Sequence, residues 1–179
     1  MLGLKRGIVE LHEHDYRWKD NAMETIYELR EVFDGVATYI QHVGSTSVAH
    51  IRAKPIIDIA VAVDCFDEVM ELIPQLEQAG FIHRPQNDQH WQVFFSCGDE
   101  KADTRTHHIH VVRVNSTQWR DYIVFRDYLN ANPDVAREYE AVKIRLMNEH
   151  RYDRLSYTEG KSEFIMDILR EAHVNIAYF

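Results

Sequence analysis

The stretch over residues 55–63 constrains the fold of this chain more than any other. It is apolar throughout except for one acid, Asp58. A short apolar run of this length predicts a strong β-strand. Burying an unpaired carboxylate costs free energy, so Asp58 should meet a cation, a hydrogen-bond donor or solvent. Two interpretations follow: a metal or substrate ligand, or a structural salt bridge to Lys54 or to an arginine of another element.

The residues before this strand predict a phosphate-binding turn. Gly44, Ser45, Thr46 and Ser47 lie between a predicted strand over residues 38–43 and a predicted short helix over residues 47–51. Free backbone N–H groups at such a turn can bind a phosphate group. An acid on the next strand can hold a divalent cation against that phosphate. The alternative is an ordinary helix N-cap, because Ser and Thr are favoured there without any ligand.

The remaining periodicity predicts an α+β fold. Helices are expected over residues 15–33, from a cap at Asp64 to Gly80, over 116–129, after Pro133, and after a cap at Thr158. Two further strands are expected over residues 91–97 and 106–114, with exposed polar connections at 98–105 and 148–157. This order predicts a single domain over residues 1–179, in which helices flank a mixed β-sheet and the C-terminal third is helical.

Alternation along the strands places several polar side chains on one face of the sheet. Side chains two residues apart share a face of a strand. If the register allows it, one face collects Asp58, His90, Gln92, His108 and His110. Two histidines at this spacing can bind a metal or a phosphate. The alternative is a pair of polar-face histidines that are satisfied by hydrogen bonds.

The overall charge limits the partners that the chain can bind. The formal net charge is -9, which disfavours bulk nucleic acid but allows a local basic pocket. Lys54, Arg126 and Lys161 are the candidate phosphate-binding cations, although a lysine or arginine on a helix is usually solvated. The chain has two cysteines without metal-type spacing, which argues against a disulfide framework. No apolar run is long enough for a membrane span. The cytoplasm is therefore the expected location.

Five segments together resemble the GrpB family, a group of bacterial proteins in the nucleotidyltransferase superfamily. The segments are HVGSTS (42–47), AKPIIDI (53–59), HHIHVV (107–112), FRDYL (125–129) and YTEGK (157–161). The resemblance covers nearly the whole chain. It implies a polymerase-β-like core, a nucleotide triphosphate as substrate or ligand, and Mg²⁺ ions held by acids in an Asp-x-Asp pattern.

Three positions depart from the pattern that the resemblance implies. Asp58 aligns with the second acid of the Asp-x-Asp pair, whereas Ile56 stands where the first would be. Arg113 stands where relatives often carry a Glu that could supply a third acid. Ala49-His50 replaces a Pro-Gly pair after the turn. The first two departures weaken a site for two Mg²⁺ ions.

Three functions are compatible with these residues. The first is a nucleotidyltransferase, in which Asp58 holds Mg²⁺, His108 and His110 act beside it, and Gly44, Ser45, Lys54, Arg126 and Lys161 bind the triphosphate. The second is a non-catalytic module that binds a nucleotide or another anionic metabolite. The third is a metal-dependent hydrolase or phosphotransfer enzyme built on a cluster of four residues: Asp58, His90, His108 and His110. No oligomeric state follows from the sequence.

Overall fold

The computed structural model describes residues 2–176. Its strands are β1 (Leu4–Lys5), β2 (Ala37–Val43), β3 (Ile57–Val63), β4 (Ile82–His83), β5 (Gln92–Cys97), β6 (Thr104–Arg105) and β7 (His107–Arg113). Its helices are α1 (Arg17–Val32), α2 (Phe66–Gln78), α3 (Thr117–Ala131), α4 (Pro133–Glu149), α5 (Arg154–Gly160) and α6 (Ser162–Ile176).

Five strands form one mixed sheet in the order β2-β3-β7-β5-β4. Strands β3 and β7 pair in parallel, and the other neighbours pair antiparallel. Strand β3 therefore has a neighbour on each side, as its apolar sequence requires. Strands β1 and β6 form a separate two-stranded sheet. The predicted α+β class with a mixed sheet is confirmed.

Helices α1 and α2 cover one face of the sheet. The side chains of Ile57, Ile59, Val61 and Val63 point to this face because they alternate along β3. They pack against Leu29 and other apolar residues of the two helices to form the main core. The amphipathic stripe predicted for the first helix is thus buried as expected.

The opposite face of the sheet meets the C-terminal helices. Helix α3 contacts β2, β3 and β7, and it packs against α4 and α6. A second apolar cluster joins Phe125 and Leu129 of α3 to Tyr139 of α4 and Ile168 of α6. The helical C-terminal third is confirmed, and the space between it and the sheet holds the candidate site. Among residues 2–176, no helix is long and apolar enough to cross a membrane.

The predicted connection over residues 148–157 is partly helical. Asp153 begins α5 by accepting a hydrogen bond from the Ser156 backbone N–H. Tyr157 is buried, so the segment is anchored by packing despite its polar sequence. Thr158 lies inside α5 and caps nothing, and the last helix begins only at Ser162. Lys161 caps the C-terminal end of α5, directly after Gly160, rather than lying in the first turn of the next helix.

Three smaller boundaries also differ from the prediction. The short helix after the turn is a single 3₁₀ turn over Ser45–Ser47, because Val48 is already extended. The residue that precedes α2 is Cys65, so Asp64 is not its cap. The connection over residues 98–105 contains β6, where Arg105 is buried and forms an ion pair with Glu100. Long-range pairing with β1 orders that segment, which periodicity cannot reveal.

Candidate functional site between the sheet and the C-terminal helices

The turn after β2 lies directly against Asp58. Val43 pairs with Asp58 across the antiparallel β2–β3 ladder. The next residue, Gly44, has a φ of 69°, a conformation that glycine adopts readily. A Cβ atom at Gly44 would lie 2.6 Å from Asp58 Oδ2. Only a residue without a side chain can therefore bring the turn this close to the carboxylate.

Parallel pairing of β3 and β7 brings two histidines to Asp58. Asp58 is the direct neighbour of His108, and Ala60 is the neighbour of His110. Asp58 Oδ1 lies 3.3 Å from His108 Nδ1 and 3.2 Å from His110 Nε2. One ligand atom from each of the three residues lies within 4.8 Å of the others. This spacing suits a metal ion with one carboxylate and two imidazole ligands.

Gln92 and Tyr122 hold the ring of His110 from behind. Gln92 Oε1 lies 2.9 Å from His110 Nδ1, and the Tyr122 hydroxyl donates to the same oxygen at 3.2 Å. An amide oxygen only accepts hydrogen bonds, so this contact favours the ring form with the proton on Nδ1, which leaves Nε2 able to bind a metal ion. Such outer partners are typical of metal-ligating histidines.

The surroundings shift the protonation of this cluster. Burial raises the pKa of Asp58, but the adjacent rings of His108 and His110 outweigh it and hold the pKa well below its usual range. Burial lowers the pKa of His108 despite the neighbouring Asp58 carboxylate. The ring of Phe94 packs 5.3 Å from His108 and 5.2 Å from His110. Asp58 is thus ionised, and His108 favours the neutral form that binds metals.

A cavity of about 270 Å³ opens above Asp58, and we call it the central cavity. Its floor is Asp58 with the Gly44–Ser45 turn, and its far wall comes from α3, α4 and α6. The residues that line it are Gly44, Ser45, Asp58, Trp91, Gln118, Asp121, Tyr122, Phe125, Tyr139, Lys161, Ile165 and Leu169. Tyr139 is buried, and burial raises the pKa of its hydroxyl to about 12.

Three lysines surround the buried tyrosines beside this cavity. The ammonium groups of Lys54 and Lys161 lie 5.5 and 4.7 Å from the ring centre of Tyr157, and Lys143 lies 4.7 Å from that of Tyr139. Burial lowers the pKa of Lys54 and of Lys143 to about 7, and that of Lys161 to about 8. Among the described residues, none of the three forms an ion pair with a carboxylate. The sequence predicted a solvated charge for Lys143, but it is buried, as its spacing from Tyr139 on the apolar stripe of α4 would indicate.

The other predicted site residues have different positions. The Thr46 hydroxyl is 2.9 Å from His42 Nε2, and the Ser47 hydroxyl donates to Gly44 O at 2.6 Å. Arg126 donates to Gln41 Oε1 and to His42 O, on the outer side of the turn. These three residues do not line the central cavity. His90 is exposed and precedes β5, so it does not join Asp58, Gln92, His108 and His110.

The donor set does not fit the two Mg²⁺ ions of the resemblance. Ile56 is buried and apolar at the position of the first acid. Arg113 pairs with Val63. This pair lies five residues along the strands from the Asp58–His108 pair, a distance of about 16 Å. Its guanidinium packs over Phe66 on the opposite face of the sheet. An acid at position 113 would therefore not reach Asp58. The residues of β7 that contact Asp58 are His108 and His110.

The five-stranded mixed sheet with its flanking helices defines a nucleotidyltransferase-like fold. It superposes on Cid1, a nucleotidyltransferase solved in complex with its short product ApU, with a TM-score of 0.50. The match has 12% identity and covers 74% of this chain and 40% of Cid1, so it bears on the fold alone.

The particular family follows from closer relatives. The profile described as GrpB protein matches residues 8–171. The chain is 39% identical to the glutamate-rich protein GrpB of Alkalihalophilus pseudofirmus, over 96% of this chain and 99% of that protein. It is also similar to the crystal structure of the conserved protein GrpB from Enterococcus faecalis, with a TM-score of 0.82, 30% identity, and coverage of 91% and 96%. The chain belongs to the GrpB family.

Proposed function

We propose that this GrpB family protein is a metal-dependent enzyme that binds a nucleotide triphosphate in the central cavity and transfers its nucleotidyl group. One observation carries the proposal: a three-residue metal-ligand set lies beside a glycine-serine turn at the floor of a cavity. Asp58, His108 and His110 supply the set, and Gly44 and Ser45 supply the turn. The nucleotidyltransferase-like fold is consistent with this class of reaction but does not by itself define it.

The donor set favours an ion softer than Mg²⁺. Mg²⁺ prefers oxygen ligands, whereas imidazole suits Zn²⁺, Fe²⁺ and related ions, and a mixed carboxylate–imidazole set also suits Mn²⁺. Asp58, His108 and His110 would hold one such ion and leave positions open for a ligand. When bound, the ion would supply positive charge to the phosphate groups at the reacting centre.

Several groups would bind the phosphates and the rest of the nucleotide. Gly44 brings backbone close to Asp58, so a phosphate on the turn would lie next to the metal ligands. Lys161 lines the cavity, and the Lys54 ammonium lies 5.5 Å from the ring centre of the buried Tyr157. Because neither lysine has a carboxylate partner among the described residues, an anion would be their counter-charge. Apolar side chains from α3 and α6 would contact the uncharged part of the ligand.

The first test is metal analysis followed by a thermal-shift screen. Protein purified without chelator is analysed for bound Zn, Mn and Fe, and then screened with the four NTPs, with and without Mg²⁺, Mn²⁺ and Zn²⁺. A ligand that binds only the folded state raises the melting temperature. We expect an ion-dependent rise in wild type that is lost in Asp58→Asn and kept in Asp64→Asn, a control at an exposed acid. An equal rise in Asp58→Asn would contradict the proposed site.

The products then distinguish the three functions. With a nucleotide labelled at the α-phosphate, pyrophosphate release together with transfer of the label to an acceptor indicates nucleotidyl transfer. Release of inorganic phosphate indicates a metal-dependent hydrolase. Tight nucleotide binding with no ion dependence and no product indicates a non-catalytic module, which the apolar Ile56 at an expected acid position specifically favours.

A further inference from the structure

A second and larger cavity lies on the outer side of the same turn. Its volume is about 580 Å³, and it sits at the free edge of β2, the outermost strand of the sheet, beside α1. Thr46 and Ser47 line this cavity, whereas Gly44 and Ser45 line the central one. Helix α3 contributes Arg126 here and Phe125 to the central cavity. We call it the edge cavity.

The edge cavity is cationic in a chain that is acidic overall. Lys19, Arg30 and Arg126 line it, and no acidic residue does, although the net charge of the chain is -9. Arg126 is partly neutralised by Asp127, which is 2.7 Å from its Nε. Lys19 and Arg30 have no carboxylate partner among residues 2–176. Two of the three cations are thus available to a bound anion.

The rest of the lining is aromatic and apolar. Tyr16 and Met23 are 71% and 37% exposed, which is unusual for side chains of this size and leaves apolar surface facing the cavity. Ile26 and Ile40 form the deeper wall. An apolar pocket with a few placed polar groups is the usual composition of a small-molecule site.

One buried polar atom of this lining has no partner. His14 Nδ1 is shielded from solvent and makes no hydrogen bond. Its ring lies edge-on to Tyr16 and to Trp18, at 5.3 and 5.4 Å between ring centres. Buried polar atoms are nearly always satisfied, so this ring is unusual in that no hydrogen bond through Nδ1 fixes its orientation.

We propose that the edge cavity is a second ligand site, for an anion that carries a flat, largely apolar body. The anion pairs with Lys19 and Arg30, and the flat body lies against Tyr16, Met23 and His14. Because the two cavities share one turn, the edge cavity is also the position for the second substrate of a transfer reaction. That role, unlike the binding itself, rests on the proposed function above.

A matched pair of probes tests the binding. 2-Naphthoate is a flat anion, and 2-naphthamide has nearly the same shape without the charge. Isothermal titration of wild type should show naphthoate binding at least about tenfold more tightly than naphthamide, a difference of about 1.4 kcal/mol. Equal affinity for the two probes, or no binding of naphthoate, would overturn the proposal.

Three variants locate the binding. The double variant Lys19→Gln/Arg30→Gln changes exposed side chains and should weaken naphthoate binding at least about tenfold. Ala49→Trp adds bulk to the wall of the cavity and should abolish it. Arg120→Gln removes an exposed charge of α3 outside both cavities and should bind as wild type does. Unchanged affinity in the first two variants would place the probe elsewhere and overturn the site.

Failure of this inference is distinguishable from failure of the proposed function. The naphthoate titrations contain no nucleotide and no metal ion, so they report on the edge cavity alone. If naphthoate binds as expected while nucleotides do not bind, the edge cavity stands without the transfer reaction. If nucleotides bind with ion dependence while Lys19→Gln/Arg30→Gln binds naphthoate as tightly as wild type, the ligand site in the edge cavity is rejected and the proposed function is not.

Discussion

Single residues decide whether the proposed metal-ligand set can form. Gly44 allows the turn to approach Asp58, and Gln92 fixes the ring of His110. Neither residue is a candidate ligand, yet each controls the position of one. Substitutions at these two positions therefore separate positioning from ligation, since all three ligand side chains remain present.

Gly44→Ala should both destabilise the fold and weaken metal binding. Its Cβ would collide with Asp58, and overpacking of this kind costs about 1–3 kcal/mol beyond the backbone strain. Gly35→Ala is the matched control, because Gly35 has a similar φ of 74° and open space around it. That variant should lose only about 1–2 kcal/mol and keep its metal affinity. Urea denaturation and metal titration measure both effects; equal losses in the two variants would refute the steric explanation.

Gln92→Leu should lower metal affinity while leaving the ligands intact. The leucine has a similar size but cannot accept the Nδ1–H of His110, so the ring loses its orientation. Removing an outer partner of this kind typically costs 10–100-fold in affinity, and we expect a loss of about that size. Competition titration with a chromogenic chelator measures it, with the exposed Gln89→Leu as control. Wild-type affinity in Gln92→Leu would show that the hydrogen bond has no supporting role.

At the scale of elements, the site depends on how α5 packs beneath α4. Gly160, the last residue of α5, lies against Leu146 of α4, so that an added Cβ would be 2.5 Å from Leu146 Cδ2. Tyr157 of the same short helix is fully enclosed and contacts two of the three lysines. The close approach of the two helices thus sets the position of Lys54 and Lys161.

Gly160→Ala should destabilise the protein through this contact. Overpacking costs about 1–3 kcal/mol, which exceeds the gain of about 1 kcal/mol in helix propensity. In a Leu146→Ala background the clash is gone, so the same substitution should become neutral or stabilising. A double-mutant cycle by urea denaturation measures the coupling. Additive effects would mean that the two residues do not meet.

At the scale of the whole molecule, three buried lysines that have no carboxylate partner among the described residues make stability depend on pH. The pKa falls to about 7 for Lys54, about 7 for Lys143 and about 8 for Lys161, chiefly because of burial. Repulsion by Lys161 lowers the pKa of Lys54 and of Lys143 further, and repulsion by Arg154 lowers that of Lys54 and of Lys161. Attraction to Asp58 partly offsets the shifts of Lys54 and Lys161, and attraction to Glu140 partly offsets that of Lys143. In the unfolded chain these groups have ordinary pKa values near 10.4. Between those limits the unfolded chain binds more protons, so the free energy of unfolding rises with pH.

We therefore expect stability to rise between pH 7 and pH 8.5. Cys97 contributes with the opposite sign near the ordinary cysteine pKa of about 8.5, but it is one group against three lysines, and tyrosine contributes only at higher pH. Lys161→Met should flatten the rise, because it removes one cation and its repulsion of the other two. Lys101→Met, in an exposed loop, should not. Urea denaturation at pH 7, 7.75 and 8.5 measures the slope; a flat or falling wild-type profile would contradict the buried lysines.

Bound sulfate should reduce the rise of stability between pH 7 and pH 8.5. Sulfate keeps its charge across the window, so any change in its binding reports on the protein. It should raise the melting temperature more at pH 7, where the lysines are protonated, than at pH 8.5. The difference should disappear in Lys161→Met. An equal sulfate effect at both pH values would show that the lysines do not bind the anion.

The sequence by itself determined the longer strands and helices and which side chains share a face of each strand. Apolar periodicity defined the strands and helices, and strict alternation put Asp58, His108 and His110 on equivalent faces of their strands. These are local properties, because the period of a strand or helix depends only on neighbouring residues. The family resemblance also carried the fold, since its motifs extend over nearly the whole chain.

Only the tertiary structure decided which of these faces meet and what lies between them. The parallel register of β3 with β7 joins residues 50 positions apart, and it sets His108 beside Asp58 while carrying Arg113 to the far end of the sheet. Helix docking buried Lys143, placed Arg126 outside the turn and opened the edge cavity. Register and docking follow from the packing of distant segments, and no local periodicity encodes that packing.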